Sequence, residues 1–302
     1  MSISVAGAPV SFGVFELTPD DEGLVLPTAD ELTSVLEQTG YAGVDLGPVG
    51  FLGRGPELRR RLETHGLELA GGWIDLPFSD DEAFAAALPS LDDVLDVFSD
   101  AMEAAPSRAP LPTLADSGDA VRKAHPGGGA GHGLDEKGWD RFARNLAVAA
   151  ARIRTRGLEP TFHHHACTFV ETPDEVDVFL GRSDVDLTFD TGHLLIGGGD
   201  VLETWQRWRG RINHLHLKDV RVDLLQEIVD AGGGMIDVWS GGTFVPLGEG
   251  DLDIGGLMDD VVTSGFDGWI VIEQDVYPTP GADPEIPRRD SVTNRRVLSR
   301  WV

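Results

Sequence analysis

Eight short runs of strand-forming residues alternate along this chain with longer helical stretches, and that alternation admits few folds. A strand, a covering helix and a second strand return the chain to the same sheet in parallel, so repeated units build a parallel sheet wrapped by helices. The strand candidates lie near residues 2–7, 42–47, 67–74, 109–115, 160–165, 185–190, 212–217 and 269–274. Eight units predict closure into an α/β barrel of the (β/α)8, or TIM, type, with residues 1–302 forming one domain. A length of 302 residues is within what a single barrel core can organise.

The helical stretches carry their own punctuation. Leu32, Val35 and Leu36 share one helical face and Gly40 can close that helix. A helix is expected from Lys137 to Arg156, and another after Thr172 with Pro173 at its first position. Two excursions interrupt the pattern, near 116–136 and 220–250, and residues 125–135 are too rich in glycine to hold regular structure. Both excursions follow strands at the end where barrels carry their active-site loops.

Charge and cysteine usage exclude several classes. With 51 acidic residues against 24 basic ones, of which 21 are Arg and 3 are Lys, the formal net charge is −27. A phosphate backbone requires a basic footprint, so nucleic acid is not an expected partner. The single cysteine, Cys167, makes no intrachain disulfide. The first residues lack a basic stretch followed by an apolar core, and no run of eighteen apolar residues occurs. A cytoplasmic location without membrane insertion is the expectation.

Polar side chains at the C-terminal ends of barrel strands converge on one mouth. Six of the nine histidines fall between residues 163 and 216, beside Asp190, and the last strand ends in Glu273, Gln274 and Asp275. Imidazole mixed with carboxylate suits one divalent ion, with Mn²⁺ or Co²⁺ first and Zn²⁺ or Mg²⁺ as alternatives. A single histidine here is equally consistent with a hydrogen-bonded strand end, but four converging strand ends point to a metal. Alternation puts His214, His216 and Lys218 on one face, with His216 nearest the mouth and His214 a layer deeper. His163 and His165 share the inward face, leaving His164 against the helices, and His165 is preferred over His163 at the metal or substrate. Lys218 can hold substrate oxygens or pair with Asp45 or Asp219, and Asp219 is expected to orient a ligand histidine.

The constellation Asp190, His193, His216 and Glu273 resembles the metal centre of the xylose-isomerase-like barrel superfamily. Residues 9–16, 40–53, 162–177, 189–200, 214–221, 244–253 and 265–275 resemble its inosose dehydratase branch across nearly the whole chain. Taken with the residue pattern, the resemblance implies His165, Asp190, His216 and Glu273 as metal ligands and Glu273, His165, His193 and Lys218 as catalytic groups. Glu16, Asp45, Trp73, His163, Arg221 and Glu249 would contact substrate. Two departures stand out: Asp45 replaces an expected glutamate, and histidine replaces the glutamate that usually ligates from strand five.

The implied substrate is a small cyclic keto-polyol such as 2-keto-myo-inositol. Metal polarisation of its ketone would acidify the adjacent C–H, a base would take that proton, and loss of the β-hydroxyl would complete a dehydration. Reprotonation would instead give an isomerase or epimerase, and a metal or sugar sensor would keep the pocket without turnover. A DNA-repair enzyme on the same barrel would need a basic groove that this charge opposes. Relatives of this type commonly form homo-oligomers, although no apolar stripe in the sequence marks an interface.

Overall fold

A computed structural model describes residues 2–128 and 131–302. Its main sheet is entirely parallel. The barrel strands are β1 (Ile3–Gly7), β2 (Gly43–Val44), β3 (Glu68–Leu69 and, after Ala70, Gly71–Leu76), β4 (Leu111–Asp116), β5 (Thr161–His163), β6 (Asp186–Asp190), β7 (Ile212–Leu217) and β8 (Gly268–Ile272). β3 closes the ring, because its first part pairs with β2 and its second part with β4. The Ala70 N–H bonds the Val44 carbonyl at 2.9 Å and the Leu46 N–H bonds the Gly71 carbonyl at 3.0 Å, carrying the β2 contact across the break. β8 pairs with β1 and β7, which completes the circuit. The eight strands anticipated from alternation are all present, and the fold is the expected α/β barrel.

The helices obey the local signals. Thr28 and Glu31 form a capping box at the start of Ala29–Thr39, and Gly40 closes that helix in the left-handed region at φ 84°. The helix expected from Lys137 runs over Glu136–Thr155 with Asp135 capping it, and Pro173 opens the helix Pro173–Arg182 behind a second capping box. Apolar faces pack on the outside of the barrel, where Phe78, Phe142, Phe162 and Phe179 interlock; the Phe162 and Phe179 rings stack at 4.3 Å. The 220–250 excursion is structured, holding helices Val222–Asp230 and Met235–Ser240 and a short antiparallel ladder between Asp219–Val220 and Phe244–Val245. In the glycine-rich 125–135 stretch, Gly129 and Ala130 lie outside the described residues. No described helix is long and apolar enough to cross a membrane.

Inside the barrel a separate small cluster forms from Ala6, Ala8, Ala70, Val271 and Trp269. The indole of Trp269 plugs the interior, and the strands around it carry small residues to admit it. A Cβ on Gly43 would stand 2.7 Å from both the Trp269 ring and the Glu68 carbonyl. Gly43→Ala therefore overpacks the plug, and the expected outcome is a loss of about 1–3 kcal/mol. A lowered midpoint in urea denaturation is the measurement; an unchanged midpoint would mean that the ring yields freely.

Candidate metal centre

Four successive strands deliver the polar groups. His163 ends β5, Asp190 ends β6, His216 lies one residue from the end of β7, and Glu273 follows β8. The Asp190 carboxylate is fully buried and divides its oxygens: Oδ1 accepts the His193 N–H at 2.8 Å, capping the helix Thr191–Ile196, while Oδ2 lies 3.1 Å from His163 Nε2. His216 Nδ1 is 3.1 Å from Glu273 Oε2 and 3.7 Å from Asp190 Oδ2. Burial opposes charge on His216, yet Glu273 and Asp190 outweigh it and raise the imidazole to about 10. His163 goes the other way, held neutral chiefly by burial.

His163, Asp190 and His216 each present a donor atom, and these atoms lie within 4.8 Å of one another. Among the buried groups, Nδ1 of His163 and Nε2 of His216 have no hydrogen-bond partner, while His216 Nδ1 has Glu273 Oε2 at 3.1 Å. Two buried imidazoles whose nitrogens converge on a carboxylate are what a divalent ion of borderline softness would satisfy, so the residues fit a metal. A second, overlapping group of Asp45, His214 and His216 lies against it, with His214 fully buried and unpartnered at both nitrogens. Burial and then Glu273 push the Asp45 carboxyl up to about 7.

Lys218 stands beside this set with its ammonium buried. Its Nζ is 2.9 Å from Glu273 Oε2, 2.9 Å from Asp275 Oδ1, 3.2 Å from Asp190 Oδ2 and 3.2 Å from His193 Nε2. Burial alone would lower this lysine, but Asp190, Asp275 and Glu273 prevail and hold it well above its ordinary value. Asp275, pushed up by burial to about 6, completes the network. The expected partners Asp45 and Asp219 are not the ones found. Asp219 instead accepts the N–H groups of Gly248, Gly250 and Leu252, tying down the loop before the last helix-strand unit rather than orienting a histidine.

The group that lies together holds His163, and His165, the residue preferred as a ligand from the sequence, lies outside it. Strand parity sends both residues inward, but β5 ends at His163 and the chain then turns, with the His165 N–H bonded to the Val170 carbonyl at 3.0 Å. His163 consequently faces Asp190 and His216. The His165 ring lies on the His193 ring at 3.6 Å between centroids and is lowered to about 4, first by burial and then by Lys218. His164 points to the helices beside Phe189 and Trp208.

These groups line a cavity of about 640 Å³ whose walls also include Glu16, Asp45, Trp73, Asp75 and Asp275. The edge of Trp73 packs on His163 and His165 at 5.5 and 4.9 Å. Glu16 is raised, chiefly by burial at the cavity wall. Arg221 and Glu249 are exposed and do not line the cavity, because Arg221 caps the helix Val222–Asp230 and Glu249 sits in the turn after Pro246. Met235, Ile236 and Trp239 roof the cavity from the 220–250 excursion, Trp239 meeting Phe15 edge-on at 5.6 Å. Sequence reading missed this roof, since nothing in periodicity says where an excursion folds back. It also gave Asp275 no role, although alternation places it on the same face as Glu273.

The description "Xylose isomerase-like TIM barrel" matches residues 12–293. The chain belongs to this family. It is 31% identical over 286 residues to the "Rhizopine catabolism protein MocC" of Rhizobium meliloti, covering 92% of this chain and 83% of that protein. It is 28% identical over 261 residues to the inosose dehydratase of Geobacillus kaustophilus, covering 83% of this chain and 81% of that enzyme. Among solved structures, the IOLI protein with a bound zinc atom superposes over 99% of both chains with a TM-score of 0.68 at 12% identity, a likeness of fold.

Removing the ammonium would leave Asp190, Glu273 and Asp275 facing one another without a counter-charge. Lys218→Met is expected to cost the metal-free protein about 3–5 kcal/mol, with added divalent metal restoring part of it. Thermal denaturation with and without Mn²⁺ checks this; equal melting temperatures for variant and parent would show that the carboxylates do not need the lysine.

Proposed function

We propose that this chain is a metal-dependent hydro-lyase that removes water from a cyclic keto-polyol of the 2-keto-myo-inositol type. The observation that carries the proposal is the two-imidazole, two-carboxylate set of His163, Asp190, His216 and Glu273, three of which line a cavity large enough for a six-membered polyol with Asp190 buried behind them. The likeness to inosose dehydratases over most of the chain supports the substrate class.

In this reading His163, Asp190, His216 and Glu273 hold one divalent ion, Mn²⁺ or Co²⁺. When bound, the ion supplies Lewis acidity that stabilises negative charge on the ketone oxygen. His165 is the base. Its Nδ1 bonds the Ala166 carbonyl at 2.7 Å, so the lone pair resides on Nε2, and its lowered value keeps the ring neutral at physiological pH. His193 supports that ring from behind, and the Asp190 contact to its backbone fixes the turn on which it sits. Lys218 is the proton-bearing group nearest the metal set, held by Asp275 where it can meet the departing hydroxyl. Trp73 offers an apolar edge to the ring, while Glu16 and Asp45 accept its hydroxyl protons.

Product mass tests the reaction. Metal-stripped protein should leave 2-keto-myo-inositol intact, and Mn²⁺- or Co²⁺-loaded protein should release a product lighter by one water. An altered stereochemistry at unchanged mass would make the enzyme an epimerase, and no reaction on any keto-polyol would leave a binding protein.

Two variants separate the histidines. His163→Ala should lose bound metal by elemental analysis, whereas His165→Ala should retain it and lose about 10²–10⁴ in kcat. The opposite pattern would return the metal to His165.

A further inference from the structure

One cation at the cavity has no assigned role. Of the three lysines in the chain, Lys123, Lys137 and Lys218, two line the same cavity. Lys218 is committed to three carboxylates. Lys123 lies at the end of the short helix Ala120–Lys123 in the loop after β4, with an exposed side chain and no carboxylate within 4 Å among the described residues. Elsewhere the surface carries Lys137, on the helix Glu136–Thr155, and arginines, many of them paired with the abundant acidic groups, as in Arg54 with Asp93 and Arg152 with Asp92. Lys123 thus brings an ammonium to a largely apolar wall that also carries seven carboxyl groups.

The loop that carries Lys123 is bolted in place by its neighbours. The Arg122 guanidinium is buried, donating to the Thr168 carbonyl at 2.6 Å and to Glu175 Oε2 at 2.7 Å, with Glu171 Oε2 at 3.5 Å. Glu171 Oε1 in turn accepts the N–H groups of Cys167 and Gly127 at 2.9 and 2.8 Å. Asp116 Oδ2 accepts those of Gly118 and Phe169, joining the loop after β4 to the one after β5. Gly118 sits at φ 60°, where a Cβ would lie 2.4 Å from the Cys167 carbonyl. Burying a guanidinium and two carboxylates is costly unless the geometry is well satisfied, and here it fixes a loop whose next residue reaches the cavity.

We propose that Lys123 is a substrate-binding residue that donates to a hydroxyl or carbonyl oxygen of the polyol on the β4 side of the mouth, next to the end of β5. This rests on the keto-polyol reading above and adds to it a named contact. Lysine suits the task because its ammonium is a compact charge on a flexible stem, able to follow a ligand that arrives at a rigid rim. Arg122, one residue earlier, is the fork that locks the loop.

The test compares parent, Lys123→Met and Lys123→Arg, all metal-loaded, for turnover of 2-keto-myo-inositol and for calorimetric binding of unreactive myo-inositol. Loss of a charge-assisted hydrogen bond predicts that Lys123→Met weakens binding and raises KM about 10- to 100-fold, with kcat much less affected. Melting temperature and metal content should stay those of the parent, and Lys123→Arg should recover part of the affinity. A parent that binds polyol no better than Lys123→Met overturns the Lys123 contact and leaves the proposed function standing. A parent that neither binds nor turns over any polyol overturns both.

Discussion

Three carboxylates share one buried ammonium at the top of this barrel. Asp190, Glu273 and Asp275 arrive on two different strands and meet at Lys218 Nζ, on a third, each within 3.2 Å. Taken out of water, like charges so close would repel or take up protons; the central cation lets them remain carboxylates. Asp190 and Glu273 are held well below the usual carboxylate range, with burial opposing and Lys218 among the main favourable influences. The network also fixes registration. Thr191 Oγ1 accepts the Lys218 N–H at 2.8 Å and donates to the Lys218 carbonyl at 2.7 Å, so the tops of β6 and β7 are tied by backbone as well as charge.

The polar summit depends on an apolar floor. Trp269 fills the interior among Ala6, Ala70 and Val271, and the hydroxyls of Thr161 and Thr188 bond each other at 2.7 Å across β5 and β6. His163 and Thr161 occupy successive inward positions of the same strand, as do Asp190 and Thr188, so each strand grades from satisfied hydroxyl to ligand within two residues. A one-residue slip in register would exchange ligands for core residues such as Phe162 and Phe189.

Much of this was legible in the sequence because it is periodic. Alternation located all eight strands, and inward parity brought His214, His216 and Lys218 to one face. Parity placed His165 on the cavity side with His163, but β5 stops at His163, and only His163 meets Asp190 and His216. It also could not name the partners of Lys218, which come from β6 and β8; contact between strands distant in sequence depends on barrel closure and not on local pattern. Arg221 and Glu249 lie outside the cavity lining for a related reason. They belong to an excursion with its own helices and ladder, where a position next to a strand end in sequence is no guarantee of facing the mouth.

The two excursions divide the labour differently from the strands. The candidate ligand set is built from strand ends whose positions the barrel dictates, so its geometry is inherited from the fold. The cavity's remaining walls, with Lys123 and Ser117 from one excursion and Met235 and Trp239 from the other, are set by loop structure that the barrel does not dictate. Substrate choice within such a family is then expected to reside in these loops, whereas the metal chemistry resides in the strands. The buried Arg122–Glu175 pair and the Asp219 clamp show how this chain meets the resulting difficulty: each excursion is anchored by a buried charged group that satisfies the backbone or charge of the loop it holds. A loop so fixed can present a side chain to substrate with nearly the precision of a strand.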